Sequence, residues 1–129
     1  MYYSFSYTPT ILDTQDSPHK LDMPMQAGVI HQVDIIIPDG ANSQVFITVN
    51  NDIQQLSPTN PDGALSGNAI IISYREWQEL QPGKTNLHAL IWSTLLSSWP
   101  PITINIGILP KRILQPLAWD ELLKAAKGK

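Results

Sequence analysis

The strict alternation of residue types over residues 102–108 constrains the fold of this chain more than any other feature. Every even position of the segment is isoleucine, and every odd position is a small or polar residue. Side chains of a β-strand point to opposite faces with a period of two, so this pattern predicts a half-buried antiparallel strand. Looser forms of the same alternation occur over residues 33–37, 45–49 and 87–91. We therefore expect a chain built mainly from strands.

Turn-forming residues separate these segments at short intervals. Gly and Asn adopt positive φ readily and Pro cannot donate to a sheet ladder, so such residues end strands. Residues 50–52 predict a tight hairpin, residues 70–72 a short buried strand, and residues 74–80 a segment that runs from a strand into a crossover loop. The expected fold class is all-β: a single antiparallel β-sandwich of seven or eight strands, of jelly-roll or immunoglobulin-like type.

The last nineteen residues differ from the rest of the chain in charge. Residues 1–110 carry three basic side chains against nine acidic ones, a formal charge of −6. Residues 111–129 carry five basic side chains against two acidic ones, a formal charge of +3. We expect a β-sandwich domain over residues 1–110, followed by a connector and a short C-terminal amphipathic helix over residues 111–129.

Four apolar residues of this C-terminal arm are spaced i, i+3, i+4 and i+7, which places them on one stripe of a helix. A helix this short is marginal alone, because isolated helices need about 12–15 residues. The stripe either folds back over one end of the sandwich or docks on a neighbouring subunit, and the opposite charges of arm and body favour docking. The expected interface residues are Trp119, Leu122, Leu123, Ala126, Lys111, Arg112 and Trp99.

The composition argues against several classes of partner and site. A formal net charge of −3 argues against nucleic-acid binding, which needs a basic surface to replace counterions. The absence of cysteine removes disulfides, thiolate metal sites and thiol nucleophiles. No apolar run approaches the roughly 20 residues that span a bilayer, and residues 1–5 lack the basic region of a signal peptide. We expect a soluble protein made in the cytoplasm.

The residues that suggest catalysis or metal binding do not form a known motif. Ser66 stands in a G-x-x-S-G pattern, whereas a nucleophile elbow requires G-x-S-x-G. His19, His31 and His88 are far apart and have no partner at metal-ligand spacing. We expect these four residues to have structural roles.

The acidic residues give a similar result. Asp39, Asp52 and Asp62 lie in turns without the spacing of a calcium loop, and Asx residues in turns usually bond their own backbone. Glu76 and Glu79 suggest the paired carboxylates of a glycosidase, but the opposed acids of such sites usually come from separate strands. We expect no enzyme activity, no cofactor and no metal site.

The aromatic residues leave a second function open. Trp77, Trp92, Trp99 and the tyrosines near the N-terminus suit a stacking platform for sugar rings, and Trp and Tyr also dominate protein–protein contacts. Leu87, Ala89 and Ile91 alternate with His88, Leu90 and Trp92, which favours a strand covered on both faces, and we expect Trp92 in the core. Trp99 lies beside two prolines at a loop tip, and we expect it to be exposed.

The alternating segments 33–37, 45–49 and 102–108, the loop 57–63 and the arm 116–127 together resemble small accessory structural proteins of prokaryotic viruses, of the decoration, cement or spike-base type. Such proteins are often cysteine-free single β-sandwiches that form trimers and clamp capsid or fibre subunits.

This resemblance implies a non-enzymatic structural subunit, located in a virion or another extracellular assembly after cytoplasmic synthesis. Its partners would be copies of itself, with a trimer favoured, and neighbouring capsid or assembly subunits. The alternative function is a carbohydrate- or receptor-binding β-sandwich module, and a small enzyme of unrecognised type ranks third.

Overall fold

The computed structural model describes residues 1–60, 62–80 and 86–109, and within these ranges all regular structure is β-strand. The all-β prediction is confirmed there, whereas the predicted C-terminal helix lies outside the described residues. Eight strands follow one another: β1 (Tyr2–Tyr7), β2 (His19–Asp22), β3 (Gly28–Ile37), β4 (Val45–Asn51), β5 (Gln54–Ser57), β6 (Ile70–Leu80), β7 (Leu87–Ser93) and β8 (Ile102–Leu109).

The strands form two antiparallel sheets of four. Sheet A has the order β1-β8-β3-β6, and sheet B has the order β2-β7-β4-β5. Each of the first four strands pairs with one of the last four, in reverse order along the chain: β1–β8, β2–β7, β3–β6 and β4–β5. The pairs β3–β8 and β4–β7 complete the sheets. In the described part of the chain, the first four strands thus pair with the last four, and these pairs are divided between the two sheets.

The inner faces of both sheets contribute to one hydrophobic cluster, as in a β-sandwich. Its central side chains are aliphatic and at most 2% exposed, and burying each valine or isoleucine among them contributes about 1.5–3 kcal/mol. In β8 every even position is buried, as the alternation predicts. The central cluster residues are Val33, Ile35, Ile37, Val45, Ile47, Val49, Ala89, Ile91, Ile102, Ile104, Ile106 and Ile108.

The turn after β4 agrees with the prediction made from the sequence, whereas the structure of residues 70–80 does not. The predicted hairpin is confirmed, since Asp52 has a φ of 55° between β4 and β5. The prediction of a short buried strand over 70–72 is wrong, because Ile71 is 60% exposed. The prediction that residues 74–80 run from a strand into a crossover loop is wrong in its second part, because one strand spans residues 70–80. Strand β6 is an edge strand of sheet A, and charged outward side chains are common on such edges.

Candidate functional site

The fold gives the three histidines separate surroundings. The ring of His19 stacks on Tyr7 with centroids 3.6 Å apart and planes 2° from parallel. His31 lies at the bulge of β3, and Nδ1 of the buried His88 lies 3.1 Å from the carbonyl oxygen of Asn86. In residues 1–60, 62–80 and 86–109, no group of three or more His, Cys, Asp or Glu residues could hold a metal ion.

The carboxylates considered for catalysis are separated in the same way. Glu76 and Glu79 are three positions apart on β6, so they point to opposite faces of sheet A. Asp39 is part of a turn, where its Oδ1 accepts hydrogen bonds from the Gly40 amide and from Nδ2 of Asn68, both at 3.0 Å. Glu76 and Glu79 therefore do not face each other across one site, and the carboxylate of Asp39, considered for calcium binding, bonds groups of its own turn and of Asn68.

A depression lies on the outward face of sheet B, between two connections that rise beside the sheet. Its volume is about 260 Å³, and its lining combines an indole ring and a leucine with amide, hydroxyl and carboxylate groups. Such a mixture is typical of small-molecule sites. We call it the outer-face depression, and its lining residues are Gln15, Pro18, Thr48, Gln55, Asp62, Gly63, Leu90 and Trp92.

The floor of the outer-face depression is built on β4 and β7. Phe46 and Trp92 are opposite each other in register, and their rings stack with centroids 5.7 Å apart and planes 19° from parallel. Nδ2 of Asn50 donates a 2.9 Å hydrogen bond to Oγ1 of Thr48, and both residues are buried although they point away from the core. The floor is therefore fixed by neighbouring side chains.

The first wall belongs to the connection between β1 and β2. Tyr7 donates a 2.6 Å hydrogen bond to Oδ2 of the buried Asp13, and the amide of Ser93 donates to the Asp13 carbonyl oxygen at 3.1 Å. These bonds tie the middle of the connection to β1 and β7, just before Gln15 and Pro18. Burial raises the pKa of the Tyr7 hydroxyl to about 12, with the hydrogen bond to Asp13 and the Asp13 charge as further causes.

The second wall belongs to the connection after β5. Nε2 of Gln55 lies within hydrogen-bond distance of three carbonyl oxygens of this connection, those of Pro58 at 2.7 Å, Asn60 at 3.0 Å and Gly63 at 3.2 Å. One side-chain amide thereby holds the segment that presents Asp62 to the depression. Both walls are fixed before any ligand binds.

The position of Trp92 corrects a sequence-based expectation. We expected this residue in the core, but it is half-buried on the outward face of sheet B, because Ala89 and Ile91 take the inward positions of the same strand. The alternation in β7 already contained this information, since Leu90 and Trp92 share one parity, and Leu87, Ala89 and Ile91 share the other.

A second depression, of about 310 Å³, is lined by the end of β2 and the start of β7. Lys20 and Asp22 line it, and their charged atoms are 3.8 Å apart with both side chains largely exposed, so the pair contributes little. The other lining residues, Met23, Pro24, Asn86 and Leu87, include no aromatic ring. It therefore offers less for a ring-shaped ligand than the outer-face depression.

The outward face of sheet A carries a polar network centred on Asp34. Its carboxylate accepts hydrogen bonds from Oγ of Ser73, from Nε2 of Gln32 at 2.9 Å and from the hydroxyl of Tyr2 at 2.8 Å. These bonds, with that from Ser73 as the largest cause, hold the pKa of Asp34 below its usual value. The bond to Asp34 in turn raises the pKa of Tyr2. The network links β1, β3 and β6 across this face.

Large apolar side chains are exposed along β6. Ile71 is 60% exposed and lies opposite Ile36 on the outward face of sheet A, while Ile70 is exposed at the start of the strand. Trp77, further along the same strand, is 47% exposed. Ile70 pairs with the inward Ile37 and so lies on the other face, whereas Ile36, Ile71 and Trp77 share the outward face of sheet A; we call these three residues the β6 surface.

The expected interface residues are described only in part. Trp99 is half-buried between β7 and β8 rather than fully exposed, and its Nε1 is buried with no acceptor within hydrogen-bond distance in the described ranges. The other six lie outside the described residues: Lys111, Arg112, Trp119, Leu122, Leu123 and Ala126.

Comparison of the chain with protein-family models, with curated proteins and with solved structures finds no match. In the described part of the chain, no helix is both long and apolar enough to cross a membrane. Support for a function therefore comes from the surfaces of the molecule and their chemistry.

Proposed function

We propose that this chain is a non-enzymatic structural subunit of a virion or a similar extracellular assembly, and that its sandwich is a jelly roll. The strand order supports the fold type, because the first four strands pair with the last four as the two arms of one rolled hairpin. Jelly rolls build viral capsid domains as well as lectins. A fold does not determine a function, so the argument depends on the surfaces.

The observation that carries the proposal is the β6 surface. Strand β6 has eleven residues, lies at an edge of sheet A and pairs only with β3 among the described strands. A long edge strand with exposed isoleucine and tryptophan side chains favours association, because another chain can cover this apolar area and add a strand to the edge. The β6 surface is therefore a suitable contact between subunits.

The proposed partners are further copies of this chain, with a trimer favoured, and neighbouring capsid or assembly subunits. In a closed ring of three, the β6 surface of one copy would contact a different surface of the next copy. The acidic body and the basic arm make such a head-to-tail contact electrostatically favourable, since opposite potentials steer and align partners.

The C-terminal arm is the second proposed contact. Its stripe of Trp119, Leu122, Leu123 and Ala126 would insert into a neighbour, with Lys111 and Arg112 beside the acidic body. This part of the proposal rests on the sequence pattern, because the arm lies outside the described residues.

Light scattering on the purified full chain, after size-exclusion chromatography, tests the proposal. We expect a discrete oligomer near three times 14.4 kDa, and Ile71→Lys should shift it towards the monomer. Ile53→Lys is the matched control, because Ile53 is 98% exposed at the β4–β5 turn, away from β6. A monomer for the unchanged chain at all concentrations would contradict homo-oligomer formation.

A second candidate function is favoured by one specific observation. The outer-face depression places a half-buried tryptophan ring among amide, hydroxyl and carboxylate groups, as a carbohydrate- or receptor-binding module requires. This function is compatible with assembly, because the depression is on sheet B and the β6 surface is on sheet A.

A further inference from the structure

We infer that the outer-face depression binds one ring of a neutral saccharide, with Trp92 as the stacking surface. This inference rests on the second candidate function, carbohydrate binding, and does not depend on assembly. It adds the place of the site and the chemical class of the ligand.

The indole of Trp92 is suited to stacking on a sugar. The face of an aromatic ring is electron-rich, and it attracts the weakly positive C–H bonds on one side of a pyranose ring. Phe46 stacks beside Trp92 with planes 19° from parallel, which fixes the orientation of the indole. Because a fixed side chain loses little conformational freedom on binding, this part of the floor is pre-organised.

The polar groups around Trp92 match the hydroxyl groups of a sugar. Gln15, Thr48 and Asp62 bring an amide, a hydroxyl and a carboxylate to the same depression, which together provide hydrogen-bond donors and acceptors. The anchoring bonds of Asp13 and Gln55 hold the two connections that carry Gln15 and Asp62. Hydrogen bonds at fixed positions provide the orientation that stacking alone lacks.

The charges of the lining limit the class of sugar. Among the residues that the structure describes, Asp62 is the one ionisable residue of the lining, and no Lys, Arg or His takes part in it. A sialic or uronic acid would place its carboxylate near Asp62 without a cation to offset the repulsion. The site therefore favours a neutral sugar over an acidic one.

The size of the depression limits the ligand to about one ring. Its volume of about 260 Å³ is just below the roughly 300–1,000 Å³ of typical small-molecule sites. A longer glycan would place one residue on Trp92 and extend the others along the surface of sheet B.

A glycan array, followed by isothermal titration calorimetry with the best neutral oligosaccharide, tests this inference on the full chain. We expect neutral glycans to bind and sialylated or uronic-acid glycans to be rejected. Trp92→Ala should weaken binding at least about tenfold, the factor that corresponds to about 1.4 kcal/mol. Trp77→Ala is the matched control, since it removes an exposed tryptophan from sheet A, and the affinity should stay unchanged.

Variants at the rim separate binding from folding. Gln15 is exposed in a connection, so Gln15→Ala should keep the circular dichroism spectrum and reduce the affinity several-fold even if Trp92→Ala fails to fold. Unchanged affinity in both folded variants would overturn the site.

The remaining outcomes distinguish the inference from the function on which it rests. Binding of acidic glycans only, with loss in Trp92→Ala, would overturn the neutral class and retain carbohydrate binding. The absence of binding to every glycan on the array would overturn both. Neither result affects the assembly proposal, which light scattering tests separately.

Discussion

The hydroxyl of Tyr7 and the carboxylate of Asp13 are joined by a 2.6 Å hydrogen bond, which ties the β1–β2 connection to the end of β1. The same carboxylate oxygen accepts a 2.8 Å hydrogen bond from the amide of Thr10. Because these bonds are partly buried, removing one partner leaves a polar group without its hydrogen bond. The pair therefore determines the shape of one wall of the outer-face depression.

Tyr7→Phe should reduce stability and change its dependence on alkaline pH. The pKa of Tyr7 is raised from 10.0 to about 12, so its contribution is fully present below pH 10 and is lost as the pH rises through 12. At pH 7 we expect a loss of about 1–2 kcal/mol, measured by urea unfolding.

The difference in stability between the unchanged chain and Tyr7→Phe should shrink between pH 10 and pH 12. Tyr3→Phe is a control on the same face of β1. In this variant the contribution of Tyr7 to the free energy of unfolding should be retained, with the same dependence on alkaline pH. A constant difference across this pH range would contradict the assignment.

Asp34→Asn should lower stability at neutral pH through the network on sheet A. The pKa of Asp34 is below its usual 3.8, so its contribution is present above about pH 4 and is lost as the pH falls through the folded-state pKa. We expect a loss of about 1 kcal/mol at pH 7, which thermal unfolding would detect as a lower Tm.

Ser73→Ala tests the same network by removing the hydrogen bond that lowers the pKa of Asp34 most. Without the Ser73 hydroxyl, the pKa of Asp34 should rise towards its ordinary value, and NMR titration of this carboxyl group measures it. No change in this pKa would show that the Ser73 bond is weak in solution.

Gln55→Glu should loosen the second wall of the outer-face depression. The substitution keeps the size of the side chain but replaces the donor that faces three carbonyl oxygens with a carboxylate. We expect a destabilisation of about 1–3 kcal/mol and faster amide hydrogen exchange over residues 58–63. Gln54→Glu is the neighbouring control, because Gln54 is exposed, and it should leave exchange in this loop unchanged.

Deletion of residues 116–129 should weaken assembly, while the β-sandwich domain stays folded. The deletion removes the apolar stripe and most of the basic charge of the arm. Trp119→Ala should have a smaller effect in the same direction, and removal of residues 128–129 alone should have almost none. Circular dichroism and light scattering measure the two properties, and an oligomer that persists after the deletion would rule out docking of the arm.

The sequence predicted strands best where one face is buried and the other solvated. The isoleucines of β8 alternate because the core takes one side of the strand. The same rule failed over residues 70–80, where an edge strand carries isoleucines on exposed positions and charges along its length. The inward positions of β6 are mostly only half-buried and include the polar residues Glu76 and Gln78, so composition there suggested a crossover loop.

The candidate site depended on contacts that are distant in sequence. Trp92, Gln55 and Gln15 belong to three separate segments, and no spacing along the chain indicates that they line one depression. The side-chain amide of Gln55 gave no local signal either, because its three acceptors are set by the path of the following connection.

The sequence by itself determined the all-β class, the hairpin at Asp52 and the inward residues of the central strands, because local turn chemistry and a period of two fix these features within a few residues. Only the tertiary structure decided which strands pair, that β6 lies at an edge and that Trp92 faces outward into a depression. These features depend on how two sheets share one core, and the free energy of that packing is spread over residues far apart in the chain.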